Sequence, residues 1–174
     1  MPSSIVSQQS LGLATDSQSG LVSTTTQTFA GNKTFNGQIL TPNRIAFNVG
    51  SNTSCPDNSQ QTYEIIYINN GSNFSTSTSR FTAPIAGTYY FEWSTIKQSS
   101  NSTAVHRQYI RKNGVDQLGL RHLRLSETNN YGDGTCSAIL QLNQNDYIEI
   151  YIHDSSIGSH AADDYTWFQG FLIG

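Results

Sequence analysis

The amino-acid sequence predicts an all-β fold, an antiparallel sandwich of about ten strands preceded by an extended N-terminal arm. Three observations carry that expectation. From Arg44 onward the chain breaks into short runs rich in β-branched and aromatic residues, separated by turn signals. Nine Tyr and eight Phe stand against a single Met, and rings of this kind fit a pleated surface. No window shows a sustained helical period bounded by caps.

The first element is the arm, Met1 to Asn43. Its only charged residues are Asp16 and Lys33, and about half of it is Ser, Thr, Asn or Gln. Leu11, Leu13, Leu21, Val22, Phe29 and Phe35 are spaced among these, too few to bury a core, so the arm is not expected to fold alone. Gln27 to Asn32 and Lys33 to Gln38 are consecutive hexads that share Thr-Phe-x-Gly. They read as short strand-turn units whose Phe faces need cover from other chains or from a partner surface. Such a segment orders across another surface, with the spaced apolar side chains giving register. With almost no charge, its attachment should survive moderate salt.

The second element, Arg44 to Gly174, holds the predicted strands: Arg44–Val49, Tyr63–Asn69, Gly87–Ile96, Ala104–Lys112, Gln117–Leu125, Cys136–Leu142, Tyr147–His153 and Tyr165–Ile173. Asn70-Gly71, Asn113-Gly114 and Gly132-Asp133-Gly134 punctuate them, and Asn-Gly is the strongest short hairpin signal. Many short antiparallel strands in one domain point to a double-sheet jelly roll. Within the strands, Gly87 and Gly170 read as points of close approach or strained φ.

Charge and composition exclude several functions. A net charge of −3 and a pI near 5.7 argue against a nucleic-acid surface, which needs a basic stripe. The local stretch of His106, Arg107, Arg111, Lys112, Arg121, His122 and Arg124 reads as solvated edge charges. No segment has the roughly 18 apolar residues of a membrane span, and the first residues show no secretory signal pattern. The protein is therefore expected to stay where it is made unless it is packaged.

Catalytic and metal chemistry find little support. Cys55 and Cys136 have no CxxC partner and are expected to be reduced small hydrophobes. Asp163 and Asp164 with His153, Asp154 and His160 form the one polar cluster worth testing for calcium, but no Asp-x-Asp-x-Asp-Gly spacing is present. There is no HExxH and no Gly-x-Ser-x-Gly elbow, and Glu64, Glu92 and Glu149 lie in strands where outward exposure is the default. No catalytic residue, metal or cofactor is expected.

Four motifs in order carry a resemblance over Arg44 to the end: Phe74 with Arg80 to Phe91, then Lys112-Asn113-Gly114, then Ser137 to Ile148, and finally Trp167 to Ile173. Together they resemble the globular head of complement component one-q and its tumour-necrosis-factor-like relatives. Asn145 stands where that family usually has Gly, and Asn is the residue that best tolerates the positive φ of such a turn. The family's animal members carry a secretory signal and a collagen-like stalk, which this sequence does not show. The resemblance implies a homotrimer with Phe168, Gly170 and Leu172 on the face toward the threefold axis. Phe168 filling the monomer's own core is the alternative.

The arm has a second resemblance. Gly20 to Ser23 followed by Thr26 to Phe35 is similar to segments preceding the distal domains of bacteriophage fibres and other virion surface proteins. This implies synthesis in the bacterial cytoplasm and a place on the virion surface. The expected function is a non-enzymatic capsid decoration or cement protein, attached to other virion proteins such as a major capsid protein through Leu11, Leu13, Leu21, Val22, Phe29 and Phe35. The alternative is the receptor-binding tip of a tail or head fibre, recognising a host surface glycan or protein. Neither nucleic acid nor membrane is an expected partner.

Overall fold

The computed structural model describes residues 31–34, 36–38, 41, 43–99, 105–117, 123–124, 130–153 and 165–174. The chain divides after Leu40, and the fold below is that of Thr41–Gly174. The arm residues Leu11, Leu13, Leu21, Val22, Phe29 and Phe35 lie outside the described residues, as do Asp154, His160, Asp163 and Asp164.

Twelve strands occur among the described residues: β1 Ala46–Ser51, β2 Ser59–Gln60, β3 Ile65–Asn70, β4 Phe74–Ser75, β5 Arg80–Thr82, β6 Gly87–Ser99, β7 Val105–Lys112, β8 Val115–Asp116, β9 Leu123–Arg124, β10 Asn130–Leu142, β11 Tyr147–His153 and β12 Thr166–Leu172. One sheet has five strands in the order β10-β6-β12-β1-β3. The other runs β4-β5-β11-β7-β8, with β2 added to β11 and β9 to β7. All recorded pairings are antiparallel. This is the expected jelly roll, and the main strands fall where the β-runs are.

One expectation about local structure is corrected. Gly132-Asp133-Gly134 is not a turn but lies inside β10, pairing with Lys97 to Thr95 of β6. Glycine is disfavoured in strands without being excluded, and thirteen consecutive β6–β10 pairs override its turn preference. Of the expected run Gln117–Leu125, residues 117, 123 and 124 are among the described ones, and Leu123–Arg124 forms β9.

The core lies between the sheets and is built on rings. Phe47 of β1 is stacked between Phe74 and Phe81, at centroid distances of 5.2 and 5.0 Å, and meets Phe168 edge-on at 4.8 Å. Ile110, Ile148, Ile150 and Ile152, on the same sheet as Phe74 and Phe81, are all fully buried in the same core. Alternation supplies these residues: inward Ile148, Ile150 and Ile152 are interleaved with Tyr147, Glu149, Tyr151 and His153 along β11. Glu149 departs from its expected exposure. It is buried, and its carboxylate takes a 2.8 Å bond from Arg80 Nε.

The turns follow their residues. Asn113 and Gly114 have φ of 53° and 77°, the two positive values a two-residue hairpin between β7 and β8 demands. Asn145 has φ 71°, so Asn does take the conformation that Gly would supply. Asp146 locks these two turns together. Its carboxylate accepts Lys112 Nζ at 2.8 Å, Asn113 Nδ2 at 2.8 Å and the Asn143 main-chain N–H at 2.8 Å. Chiefly the Lys112 bond, then those from Asn113 and Asn143, lower its pKa to about 2. The stabilisation is complete above the ordinary carboxylate range and is lost as pH falls toward 2. The wild type should thus melt above Asp146→Asn at pH 5, and the gap should shrink steadily on acidification, as followed by circular dichroism.

Candidate functional site

Strand alternation gives the five-stranded sheet a second face, turned away from the core. On β12, Thr166, Phe168 and Gly170 are buried while Trp167, Gln169 and Phe171 are turned outward. Register extends this face across the sheet in rows. Phe171 lies opposite Tyr90 of β6, which lies opposite Ile139 of β10. The Tyr90 and Phe171 rings are 5.3 Å apart, and Ile139 is 64% exposed. The next row runs Asn48, Gln169, Glu92 and Ser137, with Gln169 Nε2 donating to Glu92 Oε2 at 2.8 Å.

A β-bulge shapes the other end of the face. Pairing of β1 with β3 slips between Asn48 and Val49, so that Ile68 and Ile66 take consecutive partners and Tyr67 is the extra residue. The Tyr67 ring covers Gly50 so closely that a Cβ there would stand 2.9 Å from it. Asn48, Tyr67, Trp167 and Gln169 line an open cleft of about 350 Å³. Phe171, Tyr67 and Ile68 are 40%, 49% and 47% exposed, so exposed apolar side chains border the polar row on this face. Exposed aromatic side chains with few charges are what the centre of an association face is enriched in.

The opposite sheet presents a charged outer face whose groups satisfy one another. Arg111 Nε bonds Asp116, its guanidinium lies 3.3 Å from the centre of the Tyr151 ring, and its NH2 group is 3.1 Å from His153 Nε2. The basic residues Arg111 and Lys112 are therefore paired, with Asp116 and Asp146, rather than simply solvated. Glu64 ties a turn, taking the Asn52 main-chain N–H at 2.6 Å and the Ser51 hydroxyl at 3.1 Å. Cys55 and Cys136 are thiols, and burial pushes both up, away from the reactive thiolate form. Among the described residues no group of three or more His, Cys, Asp or Glu is placed to hold a metal ion.

The residues expected at a threefold axis are placed as follows. Phe168 is fully buried in the chain's own sandwich, against Phe47, Tyr63, Phe74 and Phe91, and Gly170 is buried beside Phe91. Leu172 is half-buried at the sheet's end, next to Gly87. Burial of Phe168 matches the alternative in which it fills the chain's own core, and the β12 side chains turned outward are Trp167, Gln169 and Phe171. Alternation separates the two sets in the sequence but does not say which faces the partner sheet. The contributions of Tyr67, Ile139 and Tyr90 have no local sequence signal, because cross-strand register alone brings them together.

A family model described as the C1q domain matches residues 46–173. Among solved structures, the globular domain of zebrafish complement 1qA protein is similar, at 18% identity and a TM-score of 0.57. The alignment covers 75% of this chain and 98% of that one.

Proposed function

The chain belongs to the C1q domain family, and on that premise we propose that it is a non-enzymatic homotrimeric head, a capsid decoration or cement protein that the N-terminal arm fastens to a bacteriophage particle. The observation that carries the trimer is the outer face of the five-stranded sheet, where Tyr67, Trp167, Tyr90, Phe171 and Ile139 stand in three adjacent rows whose one charged residue is Glu92. Association cores are enriched in aromatics and depleted of charge in this way. Trimeric association is typical of the family, and a closed heterologous ring would cover this face in every copy.

The assignment to a particle rests on the arm, whose Thr-Phe-x-Gly hexads and spaced apolar residues need an outside surface. Other virion proteins, a major capsid protein among them, are the partners this reading supplies, and the virion surface is the location. Light scattering of the full chain should give three times the 19.1 kDa protomer mass. Phe171→Asp combined with Ile139→Asp should give a folded monomer, because two buried unpaired carboxylates per interface oppose association. A monomeric wild type at micromolar concentration overturns the trimer. For the arm, deleting Met1 to Gly37 should leave a trimeric head that no longer binds particles lacking the protein. A truncated head that decorates them as well as the full chain overturns the anchoring role.

A further inference from the structure

Resting on the trimer reading above, we propose that Glu92 makes assembly through this face pH-dependent, tightening it as the carboxyl group is protonated. Glu92 lies in the middle of the sheet, between Gln169 of β12 and Ser137 of β10. Among the described residues its hydrogen-bond partner is Gln169, whose Nε2 donates at 2.8 Å, and that donor is neutral. Among the described residues, none that the register places beside it carries positive charge. Trp167, Gln169 and Phe171 face it from β12, Thr135, Ser137 and Ile139 from β10, and Tyr90 and Ser94 from its own strand. Tyr90 is the one other ionisable group, and a phenol is neutral through the range that matters. Lys112 of β7, which bonds the Gln141 main-chain oxygen of β10 at 3.1 Å, is paired with Asp146.

In the free chain, water solvates this carboxylate. Covering the face with another copy removes that water and leaves a charge with a single neutral donor, which opposes association. A closed ring repeats the opposition at all three interfaces. Protonation removes the charge that covering the face would leave without water, so acid favours assembly. The charge also serves as a selective element: the apolar rows on either side drive association, while Glu92 sets the conditions under which it is tight.

Subunit exchange tests this directly. Two pools of the full chain, labelled at the N-terminus with a donor and an acceptor fluorophore, are mixed, and energy transfer is followed at pH 7.5 and pH 5. Exchange should be slower at pH 5 by about tenfold or more, since the cost of desolvating the charge is released at all three interfaces. Glu92→Gln keeps the shape and the bond with Gln169 and should exchange slowly at both values. Equal wild-type rates at the two values, or a variant that keeps the wild-type pH dependence, overturns the proposal. Faster exchange in the variant also overturns it, because a neighbouring copy would then supply Glu92 with a cation. A chain that is monomeric at every pH contradicts the trimer reading instead.

Discussion

Phe168→Ala is expected to lower the stability of the head by about 3–5 kcal/mol, the range for removing a fully buried ring. The side chain is 0% exposed within a single chain. It makes an edge contact with Phe47 at 4.8 Å and lies 5.8, 6.2 and 6.0 Å from the rings of Tyr63, Phe74 and Phe91. These neighbours are held by their own packing, Phe47 between Phe74 and Phe81, so they cannot collapse into the space a methyl group would leave. The variant should still associate wherever it remains folded, because Trp167, Gln169 and Phe171 point the other way. Denaturant unfolding at equal protomer concentration measures the first effect, since association itself stabilises the fold, and light scattering measures the second. A loss under about 1 kcal/mol, or a folded variant that is monomeric, would place Phe168 at a subunit interface after all.

The sequence was legible where side-chain chemistry acts locally. Asn113-Gly114 specifies a hairpin because both positions need positive φ, and Asn145 stands in for Gly for the same reason. Tyr147 to His153 specifies a half-buried strand because its isoleucines alternate with polar and aromatic residues. Legibility failed where the outcome depends on what lies across the sheet or across the sandwich. The three-residue stretch Gly132-Asp133-Gly134 looks like a turn until β6 is laid beside it. Glu149 looks exposed until Arg80, 69 positions away in sequence, is brought to its carboxylate. The two faces of β12 can be told apart by alternation, but their roles depend on which one meets Phe47 and Phe91. The bulge that carries Tyr67 over Gly50 is a property of the β1–β3 register and has no trace in either strand alone.

Gly170→Val is expected to be the most damaging of the glycine substitutions in the strands. No positive φ is involved, so the constraint is space alone. A Cβ at Gly170 would stand 2.6 Å from Phe91 Cδ1, 2.9 Å from Phe47 Cε1 and 2.9 Å from the Tyr90 main-chain oxygen. None of the three can yield easily. Phe47 is stacked on both sides, Phe91 is fully buried, and the Tyr90 oxygen belongs to a strand paired with both β12 and β10. Even alanine is too large, and the branched valine should cost about 3 kcal/mol, the upper part of the overpacking range. For a domain of this size that is a fall in Tm on the order of 10 °C. Gly87 is the natural control. Its Cβ would meet Leu172 Cδ1 at 2.8 Å, but Leu172 is a half-buried side chain at the sheet's end and can swing aside. The Gly174 main-chain oxygen, 3.1 Å away, is a tight contact that a small shift would relieve. Gly87→Val should therefore cost near the lower limit of about 1 kcal/mol. Scanning calorimetry of the two variants beside the wild type tests the ranking. Equal losses at Gly87 and Gly170 would mean that the Phe47 and Phe91 rings give way as readily as Leu172, and that the aromatic centre of the sandwich is softer than its packing implies.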